Sequence, residues 1–250
     1  MVIEVAHMTN LAIDIGNTRL KWGVFKDQNL ISKEDQSVTE GISVLKKVVN
    51  DQSFQQILVA ATGNSQNVVT LLQENGLSFK ILDHTTGIPF KNRYKTPHTL
   101  GVDRIALVAA AVKNYPGQHA LVIDAGTCVT FDFKNQQEEY MGGSISPGLS
   151  MRFKALHHFT EKLPLLTAEE VPDYIGKNTA EAIQSGVIQG ISHEIKGVIE
   201  WYTDNYPGLK VILTGGDALF LSKTLKNGIF AHQNFLLEGL DHIMVFNTTQ

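Results

Sequence analysis

Two stretches of this chain nearly repeat one another: Leu11-Ala-Ile-Asp-Ile-Gly-Asn-Thr18 near the start and Leu121-Val-Ile-Asp-Ala-Gly-Thr-Cys128 at the middle. Each is an apolar run ending in Asp, followed by a small turn with Gly and Thr. That is the pattern of a buried strand delivering one carboxylate to a loop suited to phosphate or metal. The two aspartates, Asp14 and Asp124, stand 110 positions apart in a chain of 250 residues. The spacing points to two similar halves facing each other across one site.

Strand and helix alternate around these turns. The first strand is followed by a second through Trp22-Gly-Val-Phe25, which makes a hairpin, and a third short strand follows it. Ile42, Leu45, Val48 and Val49 fall at helical spacing, and residues 56–61 form a short buried strand. A helix over 67–75 is closed by Gly76, a strand covers 79–82, and a Pro-containing loop over 87–99 leads into a strongly apolar helix over 100–113. Pro116-Gly117 is the best internal boundary, dividing the chain into halves 8–117 and 118–250. Beyond it the strand–turn–strand pattern restarts at 120–127 and 129–133. Gly142-Gly-Ser-Ile-Ser-Pro-Gly148 reads as a turn-rich loop before a helix. Ile183, Val187, Ile191, Ile195, Val198 and Tyr202 then lie on one stripe of a helix over 178–206, which Asn178 and Glu181 open as a capping box. A last buried strand over 210–214 ends in Gly215-Gly216-Asp217.

Bulk properties exclude several classes of function. With 21 Lys+Arg against 25 Asp+Glu the net charge is -4, and no run of like charges marks a nucleic-acid arm. Apolar runs fall well short of the roughly 20 residues that span a bilayer. Met1-Val-Ile-Glu-Val-Ala-His has no basic region before an apolar stretch, so it does not read as a signal peptide, and Met8 serves equally well as a start. One cysteine, Cys128, excludes an intrachain disulfide and fits a reducing cytoplasm. A cytoplasmic protein with neither nucleic acid nor membrane as partner is expected.

At a strand end, Asp-x-Gly-x-Thr gathers complementary groups. The carboxylate positions a cation directly or through water, glycine admits a phosphate close to the backbone, and N–H groups with the Thr hydroxyl donate to phosphate oxygens. Asp14, Gly16, Asn17 and Thr18 meet this specification, with Arg19 and Lys21 as cationic contacts. A lone Asp-Gly turn is more often an ordinary β-turn, but two matching turns weigh against that. Thr214-Gly-Gly-Asp217 adds a strand end against which adenine or ribose can lie. There is no Gly-x-x-x-x-Gly-Lys-Ser/Thr and no Gly-x-Gly-x-x-Gly opening a helix, so P-loop and Rossmann modes are excluded.

The trio resembles the phosphate-1, phosphate-2 and adenosine loops of the actin, hexokinase and Hsp70 (ASKHA) superfamily. The implied fold is α/β, with duplicated ribonuclease H-like domains and the active site in the cleft between them. Asp14-Ile-Gly-Asn-Thr-Arg-Leu-Lys-Trp-Gly23, Asn92-Arg-Tyr94 with Pro97, Leu100-Gly-Val-Asp-Arg104, Asp124-Ala-Gly-Thr127, the 142–148 motif and Gly176-Lys-Asn-Thr179 narrow the likeness further. Within the superfamily the chain is similar to type III pantothenate kinases, in order, over nearly its whole length. Gly-x-Asp-Arg and Gly-Gly-x-Ile-x-Pro-Gly are the discriminating pair.

The resemblance implies ATP-dependent phosphorylation of pantothenate to 4'-phosphopantothenate, the first step of coenzyme A biosynthesis. It assigns Asp14, Ile15, Gly16, Asn17, Thr18, Arg19, Leu20, Lys21 and Thr127 to ATP, with Asp14 also at Mg²⁺, through water or directly. Asp103 becomes the base facing the substrate hydroxyl. Tyr94, Gly101, Val102, Asp103, Arg104 and Thr179 become substrate contacts, with Thr179 reaching across a homodimer interface. Asp124 falls at a monovalent cation site, K⁺ or NH₄⁺. Without the resemblance, Asp103-Arg104 reads rather as a helix-dipole acid beside a surface arginine, and Thr179 equally as a first-turn residue. The alternatives are a non-catalytic accessory or regulatory member of the same family, a sugar kinase, and an actin-type assembling ATPase.

Other residues carry ordinary readings. Nine histidines are scattered without a zinc spacing, and His157-His158 reads as a solvated helix start. Cys128 reads as a small packed residue and Trp22 as core.

Overall fold

The computed structural model describes residues 9–169, 173–225, 229 and 231–249. The reading of Met1 to Met8 lies outside them. Elements follow in the order β1 (Thr9–Ile15), β2 (Arg19–Lys26), β3 (Asn29–Ser37), α1 (Val38–Asp51), β4 (Gln56–Ala61), α2 (Gln66–Glu74), β5 (Lys80–Ile81), β6 (Lys91–Asn92) and α3 (Val102–Asn114). After α3 come β7 (Ala120–Ala125), β8 (Cys128–Lys134), β9 (Glu139–Pro147), α4 (Leu149–His158), α5 (Thr179–Asn205), β10 (Lys210–Thr214), α6 (Ala218–Leu225) and α7 (Phe235–Thr248).

The chain divides into two compact units. One holds the residues up to Pro116, Glu138–Tyr140 and those from Asn234 on; the other holds Gly117–Gln137 and Met141–Gln233. One unit ends at Pro116 and the other opens at Gly117, and the last helix groups with the first unit. Its place is set by packing: α7 lies along α3 and against β1 and β4 of the first unit. At Gly239 a side-chain carbon would stand 1.8 Å from the Ala106 carbonyl oxygen, an approach only glycine permits.

In the first unit the strand order is β3-β2-β1-β4-β5, with β1, β2 and β3 antiparallel and β4 parallel to β1. Lys26 pairs with Asn29, so Asp27 and Gln28 make a two-residue turn with φ of 48° and 65°. Alternation along β1 sorts its residues to two cores. Leu11, Ile13 and Ile15 pack with α1 and α2 residues such as Leu45 and Leu72, whereas Ala12 joins a core with Ile105, Ala109 and Leu240. Asp14 has the parity of Ala12 and so shares the sheet face covered by α3 and α7. Helix α3 is buried continuously from Arg104 to Ala111, which explains its apolar sequence.

The second unit repeats the plan as β9-β8-β7-β10, with β7 and β8 antiparallel and β10 parallel to β7. Leu121, Ile123 and Ala125 pack against Ile183, Val187, Ile191 and Ile195 of α5, with Val198 and Tyr202 at the margin, as the helical stripe requires. Asn178 Oδ1 accepts the Glu181 N–H at 3.0 Å, completing the expected cap.

Three local expectations are corrected. Residues 142–147, read as a turn-rich loop, continue strand β9, because pairing in the sheet does not require the side chains that glycine lacks. His157 and His158 end helix α4 instead of starting one; the helix begins earlier, at Leu149 beside Pro147-Gly148. The strand expected over 79–82 shortens to Lys80–Ile81. Trp22 is core, at 3 % exposure.

Candidate active site

Strand β1 brings Asp14 to its end at 7 % exposure, and the Gly16 N–H donates to the Arg19 carbonyl at 2.9 Å. This closes a turn whose tip, Asn17 and Thr18, is exposed to solvent. Ile15 and Leu20 are fully buried, so they serve the turn through their backbone and anchor it through their side chains. Lys21 is the cross-strand partner of Asp14 and therefore shares its face. Arg19 is ion-paired to the Asp35 carboxylate and donates to the Asp35 carbonyl at 2.6 Å. About half of each side chain is exposed, and a pair that exposed yields readily to a phosphate.

Sequence reasoning missed what stands behind this turn. The Thr62 and Gly63 N–H groups both donate to the Ile15 carbonyl, at 2.9 and 3.0 Å. A side-chain carbon at Gly63 would lie 2.3 Å from the Gly16 carbonyl oxygen. The loop after β4 is thus a brace for the Asp14 turn. The available signal was positional: a strand parallel to β1 and ending level with it must deliver its loop beside that turn.

At the start of α3, Gly101 is the N-cap and the Asp103 Oδ1 accepts the Arg104 N–H at 2.8 Å. A side-chain carbon at Gly101 would come within 2.4 Å of that same oxygen, so glycine keeps room for the carboxylate. Val102 is partly buried in the core beneath. Arg104 is only 5 % exposed, which removes the surface-arginine reading. Its guanidinium carbon stands 5.7 Å from the centre of the Tyr94 ring, within cation–π range. Tyr94 and Arg104, far apart in sequence, are brought together.

Two further loops of the second unit meet the Asp124 turn. Gly126 N–H donates to the Cys128 carbonyl at 2.9 Å, closing the turn, and Thr127 is exposed at its tip. Gly148 N–H donates to the Thr127 carbonyl at 3.1 Å, and a side-chain carbon at Gly148 would stand 2.3 Å from the Gly126 oxygen. Gly215 has φ of +99° and its missing side chain would meet Asp124 Oδ1 at 2.3 Å; the following Asp217 N–H donates to the Ala125 carbonyl at 2.9 Å. The Gly-Gly-x-Ile-x-Pro-Gly and Thr-Gly-Gly motifs therefore both end on the Asp124 turn, with glycine where contact is closest. Burial pushes the Asp217 carboxyl above its ordinary value. Thr179 stands outside this junction, exposed at the first position of α5.

Among the described residues, no group of three or more His, Cys, Asp or Glu side chains is placed to hold a metal ion. No helix among them is long and apolar enough to cross a membrane.

A family model described as type III pantothenate kinase matches residues 10–201 of this chain. A protein named type III pantothenate kinase from Christiangramia forsetii is 49 % identical over 250 residues, covering 96 % of this chain and all of the relative. Two solved structures share the fold at low identity. One from Campylobacter jejuni, provisionally named a Baf family transcriptional activator, has a TM-score of 0.62 at 22 % identity over 96 % of this chain and 100 % of its own. Another from Listeria monocytogenes, provisionally named an N-acetylmannosamine kinase, has a TM-score of 0.55 at 14 % identity over 96 % and 100 %. Both are likenesses of fold alone, an α/β fold with two five-stranded sheets.

Proposed function

This chain belongs to the type III pantothenate kinase family, and from that premise we propose how its residues divide the work of phosphorylating pantothenate. The reaction moves the γ-phosphate of ATP to the primary hydroxyl of pantothenate, giving 4'-phosphopantothenate for coenzyme A synthesis. The observation that carries the assignment is the family match over residues 10–201 together with Asp14 and Asp124 near the ends of β1 and β7 and Asp103 and Arg104 in the first turn of α3.

Transfer of a phosphoryl group proceeds through a loose transition state, so alignment and charge neutralisation do most of the work. Asn17 and Thr18 offer N–H and hydroxyl donors to ATP phosphates, Gly16 leaves room for a phosphate beside the backbone, Lys21 and Arg19 offer positive charge, and Thr127 adds a further hydroxyl donor to ATP. A single buried carboxylate at Asp14, in place of a cage, suits Mg²⁺, which arrives largely hydrated and bound to phosphates. That ion would supply neutralisation of the β- and γ-phosphate charge. Asp124 Oδ1 and the Ala125 carbonyl oxygen both face Gly215, and oxygen donors of this kind suit K⁺ or NH₄⁺.

Asp103 accepts the hydroxyl proton as the bond to phosphorus forms, and orients that oxygen beforehand. Arg104 takes the pantothenate carboxylate with its forked donors, and Tyr94, Gly101 and Val102 line the same place. Thr179 is supplied by the second copy of a homodimer. Phe159 at 82 % exposure and Ile175 at 73 %, with Tyr174 and Ile145 also exposed, are large apolar side chains whose covering by a second copy would favour a dimer. Light scattering that returns the mass of a single chain removes the dimer.

Coupled ADP release is expected to require both pantothenate and K⁺ or NH₄⁺, with Na⁺ a poor substitute. Asp124→Asn is expected to weaken the cation requirement's saturation, raising the K⁺ concentration for half-activation about tenfold or more, as loss of one charge-assisted contact implies. ADP release equally fast in Na⁺ alone would remove the monovalent site from Asp124.

A further inference from the structure

The division of labour above leaves Tyr140 without a role. Its side chain is large, aromatic and fully buried. Two separate observations tie it to the segment that carries Tyr94. Its carbonyl accepts the Arg93 N–H at 2.9 Å, and its residue pairs with Asn92 where β6 runs beside the first residues of β9. Its ring stacks on Tyr94, with centroids 6.0 Å apart and planes at 21°. Beneath, Phe90 meets the Tyr140 ring edge-on at 6.2 Å and 71°.

The Tyr94 segment has little order of its own. Strand β6 is two residues long, and beyond it the backbone is held by Asn92, whose side-chain oxygen accepts the Tyr94 N–H at 2.9 Å, and by Arg93, paired with Glu139. Within reach of the Tyr94 ring is the Arg104 guanidinium at 5.7 Å. A buried ring that fixes the plane of Tyr94 therefore also fixes the surface beside which Arg104 sits. Phe90, Tyr140, Tyr94 and Arg104 make one continuous series of contacts, buried at its base and ending in a cationic fork.

We propose that Tyr140 is a positioning residue for pantothenate, holding Tyr94 and through it Arg104 in the orientation that receives the acceptor substrate. The assignment rests on the reading of Tyr94 and Arg104 as pantothenate contacts. Tyr140 touches no substrate; it removes the freedom that binding would otherwise have to quench, so its loss weakens pantothenate binding without altering the transfer step.

The test compares steady-state kinetics of Tyr140→Leu, Tyr140→Met and Tyr140→Phe in the full chain, with thermal melts to establish folding. Met fills the buried space with a flexible chain and serves if Leu fails to fold. Loss of one aromatic stack predicts a rise in the pantothenate KM of about three- to tenfold in Leu and Met. Tyr140→Phe keeps the ring and restores the wild-type KM. In all three the ATP KM and kcat stay within about twofold, because uniform binding of one substrate is what is lost. Folded Leu and Met variants with an unchanged pantothenate KM, or with equal rises in both KM values, overturn the proposal. Tyr94→Ala separates this from the underlying reading. If it leaves the pantothenate KM unchanged, the reading of the substrate site fails and the role of Tyr140 with it. If it raises that KM while folded Tyr140→Leu does not, the site reading stands and only the role of Tyr140 fails.

Discussion

Asp103→Asn is expected to lower kcat with pantothenate by about a hundred- to ten-thousandfold, the range over which a positioned proton acceptor contributes. The substitution is chosen for what it preserves. Asp103 Oδ1 accepts the Arg104 N–H at 2.8 Å in the first turn of α3, and an asparagine oxygen can accept the same bond. The helix start therefore survives while the basic group is lost. Unchanged melting and a largely unchanged pantothenate KM should accompany the fall in kcat, since the interaction removed acts in the transition state. A variant retaining more than about a tenth of wild-type kcat would fall below any range expected of a proton acceptor and move the role away from Asp103.

Gly239→Ala is expected to destabilise the protein more than an ordinary helix substitution can. Glycine to alanine in a helix interior normally stabilises by about 1 kcal/mol. Here the new carbon would lie 1.8 Å from the Ala106 carbonyl oxygen and 3.1 Å from the Ala110 nitrogen, both backbone atoms of α3. Neither can rotate aside, so α7 and α3 must part along their contact. Overpacking of this kind costs about 1–3 kcal/mol and more where backbone must move, so the clash wins and the net loss is about 2 kcal/mol. For a chain of this size that lowers the melting temperature by roughly 4–8 °C. Because the first turn of α3 carries Asp103 and Arg104, activity should fall with it even below the melt. A variant melting at or above wild type would show that α7 does not seat closely on α3.

The residues that were legible in sequence share one property: their roles follow from local order. Asp14 and Asp124 sit at ends of apolar strands, Asn178 and Glu181 three residues apart make a cap, and the stripe from Ile183 to Tyr202 needs only helical periodicity. What stayed hidden depends on residues meeting across the chain. Gly63 earns its meaning from Gly16, Gly239 from Ala106, Gly215 from Asp124, and Tyr140 from Tyr94. Strand β9 was concealed because glycine, serine and proline read as a turn, and only pairing with neighbouring strands overrides that local preference. Helix α7 was passed over for a related reason. Its apolar residues are spread over enough of its circumference, from Phe235 to Met244, to blur the periodic signal, as suits a helix buried against both α3 and the sheet. Arg104 gave the opposite outcome. On composition alone it is a surface residue; its burial beside Tyr94 became evident only once the two were placed together.

The account turns on pantothenate being the acceptor and Asp103 the group that receives its proton. Mass spectrometry of the products formed from ATP, Mg²⁺ and K⁺ with a panel of alcohols, run in parallel on wild type and Asp103→Asn, tests both together. The predicted result is singly phosphorylated pantothenate from the wild type, none from hexoses, and near-complete loss in the variant. Phosphorylated hexose, or ADP formed at the same rate without pantothenate, would contradict it.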